Sequence, residues 1–363
     1  PKESLAGAVV LLVDDILDEG VTLQALQEYC VVEGAAAVHT AVMVRKTRSR
    51  AIEVRVDYVG LEVPDRFVFG YGLDARGLGR NAPGYFCFAG GRLMGVAGII
   101  GGSGLTGLKN LQIRHRRVIR TPFGETSGPL TFGQLGGQEV VFIARHGYGH
   151  TIPPHRVNYR ANVWALHHVG VTHVVAVAAV GGITAAMRPG VLCLPDQLID
   201  YTSGRPSTFF EGGESMVVHI DFSEPYCQPL RERLLQAAGS ADIVVIDGGT
   251  YAATQGPRLE TIAEIRRIER DGGDVVGMTG APEAVLAREI GLCYAPLSLV
   301  VNPAAGKSAE PITMEAIDMV MHEGMEKVRK VLGNVVPLLA DCPQCGCGTA
   351  VGPEALRQLH SKK

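Results

Sequence analysis

The sequence predicts an α/β protein in which a mixed sheet flanked by helices follows a shorter, partial α/β fragment. Apolar runs of strand length recur along the chain, end in glycine or polar residues, and alternate with helical patterns. Composition shifts at 87–93, where Ala89-Gly90-Gly91-Arg92 has the character of a linker. The length of 363 residues suffices for two ordinary domains. We therefore expect domains at 1–90 and 93–340 and a cysteine-containing tail at 341–363.

Composition argues against several classes of function. The chain is 46 % hydrophobic and 20 % charged, with a formal net charge of −3, which is typical of a globular protein. Aromatic residues make up 6 %, and without a basic field this argues against a nucleic-acid partner. The longest apolar stretch, around 173–183, is too short to span a membrane, and 1–4 does not resemble an export signal. We expect a cytoplasmic protein with no membrane partner.

Eight cysteines are scattered through mostly apolar segments, where reduced thiols pack as small hydrophobes. Cys342, Cys345 and Cys347 form one close group, and close thiols can bind zinc or form a disulfide. A structural zinc ion needs four ligands, and the further candidate nearby in sequence is His360. We therefore expect a solvent-side tail and no metal site, and the role of the three cysteines stays open.

The first predicted elements are a strand, an acidic loop and a helix. An apolar run at 8–13 predicts a buried parallel strand, and a helical pattern follows at 23–31. Between them, Asp14 and Asp15 can hold vicinal ribose hydroxyls, while Gly20 and its neighbouring amides form an anion site at the helix N-terminus. The intervening loop therefore suits a ligand that carries a sugar and a phosphate.

The segment 13–22 resembles the phosphoribosyl-pyrophosphate loop of purine phosphoribosyltransferases, and the likeness to the carboxyl half of hypoxanthine-guanine phosphoribosyltransferases extends over 9–88. In that family the other catalytic loops lie upstream, and a threonine replaces Glu19, whose carboxylate repels phosphate. We expect a truncated, vestigial site without transferase activity. The resemblance implies ribose contacts for Asp14 and Asp15, acid–base action at purine N7 for Asp18, phosphate contacts for Gly20 and Thr22, purine O6 for Lys46, ring stacking for Phe67 and magnesium for Asp74.

The second domain is predicted to contain six strands that each end at glycine or polar residues. Sites in α/β proteins cluster at such strand ends. The strands and the residues after them are 94–100 with Gly101-Gly102-Ser103-Gly104, 140–144 with Arg145-His146-Gly147, 173–180 with Gly181-Gly182, 243–247 with Gly249-Thr250, 275–278 with Thr279-Gly280, and 293–301 with Asn302-Pro303-Ala304.

Two of these strand ends suit an anion. A glycine turn with the Ser103 hydroxyl can wrap phosphate, the planar Arg145 side chain matches its oxygens, and a protonated His146 adds a donor. Taken singly, each feature has an ordinary alternative: a tight connection for the glycines, a surface ion pair for Arg145 and a local hydrogen bond for His146.

Together these motifs resemble the methylthioadenosine phosphorylase and purine nucleoside phosphorylase family over about 96–339. The resemblance implies a nucleoside phosphorylase-type sheet, a homotrimer with sites near subunit contacts, and phosphorolysis without metal or organic cofactor. Ala178 stands where relatives place Thr or Asn, so phosphate lacks one hydrogen bond, worth about 1.5–3 kcal/mol. The implied contacts are Ser103, Arg145, His146, Ala179 and Thr279 to phosphate, Met278 under the ribose, and His150 and Pro154 bordering the sugar at a subunit contact.

The choice of base follows from hydrogen bonding. A 6-oxopurine presents an N1–H donor and an O6 acceptor, whereas adenine presents the reverse. Asn302 can donate to O6 and accept from protonated N7, while Glu260 can accept from N1–H, so we expect a 6-oxopurine. With His146, these are the expected catalytic residues. The alternative is that Asn302 caps the loop before Pro303 and that Glu260 is a solvated carboxylate at a helix start.

A helix predicted at 313–332 carries Met314, Ile317 and Met321 on one face. Such a stripe is usually core, but the resemblance places its start at the 5′ pocket, where Met314 and Ile317 suit a methylthio group. Leu259 and Ala304 are further expected substrate contacts. Within the family the likeness is greatest to enzymes that cleave S-methyl-5′-thioinosine. The alternatives are a bifunctional phosphorylase and hypoxanthine phosphoribosyltransferase, or a catalytically dead purine-binding protein.

Overall fold

A computed structural model divides the chain into two compact units, Pro1–Leu93 and Met94–Lys363. Of the predicted site residues, Ser103, Phe67 and Asp74 lie outside the described part of the chain, as does Glu19. The structure describes residues 4–18, 20–47, 54–64, 68–69, 86–87, 96–102, 104–105, 110–213, 216–309, 311–342 and 345–361.

Among its described residues, the first unit contains a three-stranded parallel sheet in the order β1-β2-β3 and one helix. Leu17, Leu23 and Val42 form its small core between sheet and helix. The opposite face of β1 exposes apolar side chains, although both faces of a parallel sheet are usually covered. The elements are β1 (Val9–Leu17), α1 (Val21–Val32), β2 (Ala37–Thr47), β3 (Tyr58–Pro64), and an antiparallel pair formed by β4 (Val68–Phe69) and β5 (Phe86–Cys87).

The expected acidic loop is wrong for Asp14 and Asp15, which lie inside β1. The strand continues because its parallel pairing with β2 runs on to Leu17, with Asp14 opposite Val42. The chain turns at Gly20, whose φ of +88° favours glycine and whose Cβ, if present, would lie 2.7 Å from a Val54 methyl carbon. As a result α1 begins two residues earlier than predicted.

The second unit contains a large mixed sheet flanked by helices, and the predicted α/β class is confirmed. Its strands are β6 (Val96–Gly101), β7 (Gln112–Arg117), β8 (Arg120–Thr121), β9 (Gly124–Glu125), β10 (Leu130–Leu135), β11 (Gln138–Ala144), β12 (Val171–Gly182), β13 (Leu192–Leu194), β14 (Gln197–Asp200), β15 (Val245–Asp247), β16 (Thr250–Ala253), β17 (Val275–Gly277) and β18 (Cys293–Pro303). Its helices are α2 (Tyr159–His168), α3 (Gln228–Gly239), α4 (Ile262–Arg270), α5 (Gly280–Glu289), α6 (Met314–Leu338) and α7 (Pro353–Ser361), with short 3₁₀ turns at Pro154–Arg156, Leu339–Asp341 and Gly346–Thr349.

The centre of the sheet is parallel. Strands run in the order β14-β16-β17-β12-β6-β11-β10-β7, while β18 pairs with β12 and β13, and β13 also pairs with β15. Because β6, β11, β12 and β18 are mutually parallel, their carboxyl ends lie at one edge of the sheet. All six predicted strands are present with shifted bounds, and α6 continues to Leu338, six residues beyond the predicted helix end.

Helices cover both faces of this central sheet, as buried parallel strands require. Neighbouring residues of β6 point to opposite faces of the sheet and contact different helices. Ile99 packs with α3 and α6, while Ile100 packs with α2 and α5. Ile317 lies in the core beside α3, so part of the predicted apolar stripe is ordinary packing. Within the described ranges, none of the helices combines the length and apolarity that crossing a membrane demands.

Candidate active site

The glycine turn after β6 is fixed by packing against its neighbours. In the parallel register Gly101 lies opposite Ala144, and the Arg145 N–H donates to the Gly101 carbonyl at 2.9 Å. A Cβ at Gly101 would lie 2.1 Å from the Leu105 carbonyl oxygen, and one at Gly102 would lie 2.4 Å from that of Val177. These positions therefore require glycine whatever the turn binds.

Arg145 forms a buried ion pair that ties β11 to α5. Its Nε and Nη2 donate to the two carboxylate oxygens of Glu283, each at 2.8 Å, and Nη1 donates to the Val177 carbonyl at 3.0 Å. The Tyr294 hydroxyl also donates to Glu283, at 2.9 Å. Burial opposes the charge, but the Glu283 carboxylate outweighs it and holds the pKa of Arg145 above its usual value. The surface ion pair considered from sequence is thus wrong for Arg145.

His146 is buried beside Arg145 and carries no charge at neutral pH in this chain. Burial, the charge of Arg145 and the nearby His150 lower the pKa of His146 to about 4, against a hydrogen bond with the Ile152 carbonyl that raises it. That bond, from Nδ1 at 2.8 Å, leaves Nε2 as an acceptor. The expectation of a protonated donor therefore does not describe the unliganded site.

Thr279 lies at the start of α5, the helix that carries Glu283. Its N–H donates to the Tyr251 hydroxyl at 3.4 Å. The Tyr251 ring occupies the space that a Cβ at Gly277 or Gly280 would need, at 2.1 and 2.8 Å. Thr279 and Glu283 thus lie at the same end of α5, on either side of a kink at Ala281.

The remaining phosphate contacts expected from sequence lie on β12, which packs between β6 and β18. Ala178 and Ala179 follow Val177, whose carbonyl accepts from Arg145. Ala178 is opposite Ser298 in register, and the buried Ser298 hydroxyl has no hydrogen-bond partner among the described residues. At the position where the sequence predicts phosphate, β12 therefore offers backbone groups but no side-chain hydroxyl.

Glu260 borders a cleft of about 280 Å³ that Thr254, Gln255 and Gly256 also line. Its carboxylate accepts from the Thr254 hydroxyl at 2.6 Å, so it is anchored to the end of β16 and is not a freely solvated group. Met278 lies against Gly256, where a Cβ would approach its sulfur to 2.4 Å. The cleft therefore joins the predicted base and ribose contacts.

Asn302 lies at the carboxyl end of β18, opposite Gly181 in register. Its Nδ2 donates to the Pro303 carbonyl at 2.7 Å, the local bond that the capping alternative predicts. That bond uses one of two amide hydrogens and leaves Oδ1 as an acceptor. Ala304 is buried behind it, with its N–H donating to the Gly182 carbonyl at 2.7 Å.

Arg205 is a site residue that the sequence analysis missed. Its guanidinium donates to the carbonyls of Met278 at 2.8 Å and Ala281 at 2.7 Å, and to that of Gln255 at 2.9 Å. It thereby holds the cleft loop against the start of α5. Sequence offered no signal, because Gly204-Arg205-Pro206 matches no motif and the acceptors of Arg205 are distant in sequence, most of them backbone carbonyls.

The other expected substrate contacts lie at the surface of the single chain. His150 is exposed with a φ of +51°, and its ring lies 4.8 Å from that of His146, centre to centre. Pro154 is half-buried, while Leu259 and Met314 are 49 % and 66 % exposed.

In the first unit, two of the residues assigned to the purine meet in an ion pair. Lys46 Nζ donates to the Asp18 carboxylate, and Lys46 is buried. The Asp15 N–H donates to the Asp14 carboxylate at 2.9 Å, and burial together with Asp14 raises the pKa of Asp15. Thr22 is exposed in the first turn of α1.

Comparison with known proteins finds a family match in each unit. Residues 96–337 match the family described as the phosphorylase superfamily, and residues 1–76 match the family described as the phosphoribosyl transferase domain. Both resemblances drawn from the sequence motifs are confirmed.

Individual relatives agree with the larger match. Over 243 residues the chain is 55 % identical to a probable S-methyl-5′-thioinosine phosphorylase of Pseudomonas syringae pv. tomato, covering 67 % of this chain and 99 % of the relative. It is 44 % identical to the 6-oxopurine nucleoside phosphorylase of Pyrococcus furiosus over 70 % of this chain and 96 % of the relative. The solved methylthioadenosine phosphorylase from Schistosoma mansoni in complex with adenine aligns with a TM-score of 0.66 at 34 % identity, covering 73 % of this chain and 97 % of that one.

The Arg145 ion pair predicts a large stability difference between two carboxylates. Glu283→Gln leaves a buried guanidinium without its counter-charge and should lower the free energy of unfolding by about 3–5 kcal/mol. Glu264→Gln is the matched control, because Glu264 also binds an arginine, Arg258, through both oxygens, but at the surface. Urea unfolding measures both, and equal losses would contradict the ion pair's structural role.

The buried His146 predicts a pH dependence of stability. Its pKa of about 4 in the fold lies below the ordinary value of 6.5, so the unfolded chain takes up the proton first as pH falls. Between pH 6.5 and 4 this should remove about 3 kcal/mol from the free energy of unfolding. His146→Asn should flatten this fall, whereas His150→Asn, at the exposed neighbouring ring, should not. Urea unfolding across that range is the measurement, and parallel pH profiles of His146→Asn and the parent would contradict the assignment.

Proposed function

The chain belongs to the phosphorylase superfamily, and we propose that its second unit cleaves a 6-oxopurine nucleoside, preferably S-methyl-5′-thioinosine, with inorganic phosphate. The products are the free base and 5-methylthioribose 1-phosphate. Two relatives bear names of 6-oxopurine-type phosphorylases, whereas the solved relative is a methylthioadenosine phosphorylase. The choice between the two bases therefore depends on this chain's own residues.

The observation that carries the proposal is the hydrogen-bonding capacity of two side chains, Glu260 at the cleft and Asn302 at the end of β18. The Glu260 carboxylate, held by Thr254, can accept from N1–H of a 6-oxopurine but opposes the N1 lone pair of adenine. The remaining Asn302 N–H can donate to O6 while Oδ1 accepts from N7–H. Sites built on such bonds reject the reversed pattern strongly.

On the phosphate side, Arg145 provides charge and His146 provides an acceptor. Three of the five guanidinium N–H groups bind Glu283 and Val177, and the other two can donate to phosphate. Nε2 of the neutral His146 can accept the O–H of hydrogen phosphate, and the Thr279 hydroxyl offers a further contact. Phosphate oxygen then bonds to C1′ as the C1′–N9 bond breaks, and N7 of the leaving base takes a proton from solvent.

We propose that the working enzyme is a cytoplasmic homotrimer that needs no metal or organic cofactor for this reaction. Met314, His150 and Leu259 are exposed in the single chain, although the family resemblance assigns them to the substrate site. A neighbouring copy would cover them and complete the sugar pocket.

We further propose that the first unit has no transferase activity. Asp14 and Asp15 lie inside β1 and not in the open acidic loop that the transferase resemblance implies. Lys46 is also engaged by Asp18 and not free for a purine O6.

Substrate preference tests the base assignment. The parent chain should release base from S-methyl-5′-thioinosine in preference to inosine and 5′-methylthioadenosine. Asn302→Asp should lower kcat/KM for S-methyl-5′-thioinosine roughly 100-fold and move preference toward 5′-methylthioadenosine, because it removes the donor to O6. Asn334→Asp, the same change at an exposed position of α6, is the control. Preference of the parent for 5′-methylthioadenosine would overturn the assignment, and no release from any nucleoside would favour a dead purine-binding protein.

Position 178 tests the phosphate assignment. Ala178→Thr supplies a hydroxyl beside Val177 and should lower KM for phosphate about tenfold, the effect of one charge-assisted hydrogen bond. Ala178→Val has the same shape without the hydroxyl and separates hydrogen bonding from crowding. Steady-state kinetics with varied phosphate give the comparison, and an identical phosphate KM in the two variants would remove Ala178 from the anion site.

The first unit is tested by mixing the chain with hypoxanthine and phosphoribosyl pyrophosphate in the presence of Mg²⁺. We expect no inosine monophosphate, because Asp14 and Asp15 lie inside a strand and Lys46 is paired with Asp18. Phosphorolysis by the same sample shows that the second unit is folded. Formation of the nucleotide by chromatography would establish the bifunctional alternative.

A further inference from the structure

Four cysteines from three distant parts of the chain meet at one point of the second unit. They are Cys227, Cys293, Cys345 and Cys347, and their sulfur atoms all lie within 4.8 Å of one another. The Cys293 and Cys345 sulfurs are 3.3 Å apart. Three of the four side chains are buried, and Cys345 is half-buried.

Secondary structure fixes two of these thiols. Cys227 is the residue before α3, and Cys293 is the first residue of β18. The Cys227 N–H donates to the Tyr294 carbonyl at 2.9 Å, which holds the helix start against the strand start. Cys345 and Cys347 then come from the segment after α6, at a 3₁₀ turn that returns to this place.

We propose that these four cysteines form a structural site for one Zn²⁺ ion. Thiolate sulfur is a soft ligand that suits zinc, which takes four such ligands in a tetrahedron. At a Zn–S distance of about 2.3 Å, the sulfurs of a tetrahedron are about 3.8 Å apart. The observed limit of 4.8 Å therefore calls for a small contraction, within reach of side-chain rotation.

All four ligands would come from the protein, which is the arrangement of a structural and not a catalytic zinc. Cys293 and Asn302 lie at opposite ends of β18, about 30 Å apart at the rise of a strand. The ion would clamp the segment 345–361 to α3 and β18 at the sheet edge away from the active site. The sequence alone gave three neighbouring cysteines and His360, whose side chain lies outside the described residues, and it could not supply Cys227 or Cys293.

Metal analysis of the full chain, purified without a histidine tag and with zinc in the medium, tests the site. We expect one zinc per chain in the parent and in Cys342→Ser, and a loss of at least tenfold in the double variant Cys345→Ser/Cys347→Ser. Cys342 is the matched control because it lies in the same segment but outside the four-sulfur group. Equal zinc content in the double variant and in Cys342→Ser would overturn the proposal.

A second measurement uses the parent chain alone, in case the double variant does not fold. Apoprotein titrated with Co²⁺ should develop the intense visible bands of a tetrahedral cobalt thiolate, saturating at one equivalent and lost on addition of Zn²⁺. Zinc should also protect Cys227, Cys293, Cys345 and Cys347 from alkylation while Cys342 reacts. Disulfides among the four in freshly purified protein without zinc, or no cobalt spectrum after reduction, would overturn the site.

Discussion

The buried pair of Arg145 and Glu283 is the contact on which the active-site edge depends. A guanidinium and a carboxylate taken out of water are stable only when each is fully hydrogen-bonded. Here both carboxylate oxygens face the guanidinium fork, Val177 takes a third hydrogen bond, and Tyr294 donates to Glu283. These hydrogen bonds hold four elements, β11, β12, α5 and β18, in fixed positions relative to one another. The candidate phosphate contacts are Arg145 itself and residues that lie close in sequence to the members of this network.

Glycine is the second constraint, because it allows these elements to approach closely enough for that pair to form. The backbone at Gly102 passes so near the Val177 carbonyl and the Arg145 guanidinium that a Cβ would meet both. Gly277 and Gly280 make room for the Tyr251 ring on the other side of α5. The glycines in these motifs are therefore required first for close packing between strand ends. Any role in binding an anion depends on the backbone position that this packing fixes.

The sequence was sufficient where local pattern and tertiary structure agree. The four parallel central strands, β6, β11, β12 and β18, are largely apolar runs because helices bury both faces, and glycine or polar residues mark their carboxyl ends at one edge of the sheet. The sequence was insufficient where strand pairing determines the secondary structure. The side chains of β7 are all exposed, and this segment is a strand because it pairs with β10. Asp14 and Asp15 lie in β1 because that strand pairs with β2. Arg205 and the Cys227–Cys293 pair were invisible for the same reason, since their partners are far away in sequence.

The loop-capping role of Asn302, which the sequence analysis treated as an alternative to base binding, is compatible with the proposed chemistry. Its bond to the Pro303 carbonyl identifies Nδ2 as the donor end of the amide, since only the NH₂ group can bond that oxygen. The orientation of the second N–H and of Oδ1 is then fixed. In the proposed complex the N–H donates to O6 of the leaving 6-oxopurine, and Oδ1 accepts from its protonated N7. A carboxylate at this position would face the Pro303 carbonyl oxygen and be favoured in its protonated form. The single O–H of that form donates to the Pro303 carbonyl, and the other oxygen is an acceptor that suits N6–H of adenine but not O6 of a 6-oxopurine. Under the proposed assignment, loop capping and base recognition are coupled at Asn302, because the capping bond orients the amide group that is proposed to contact the base.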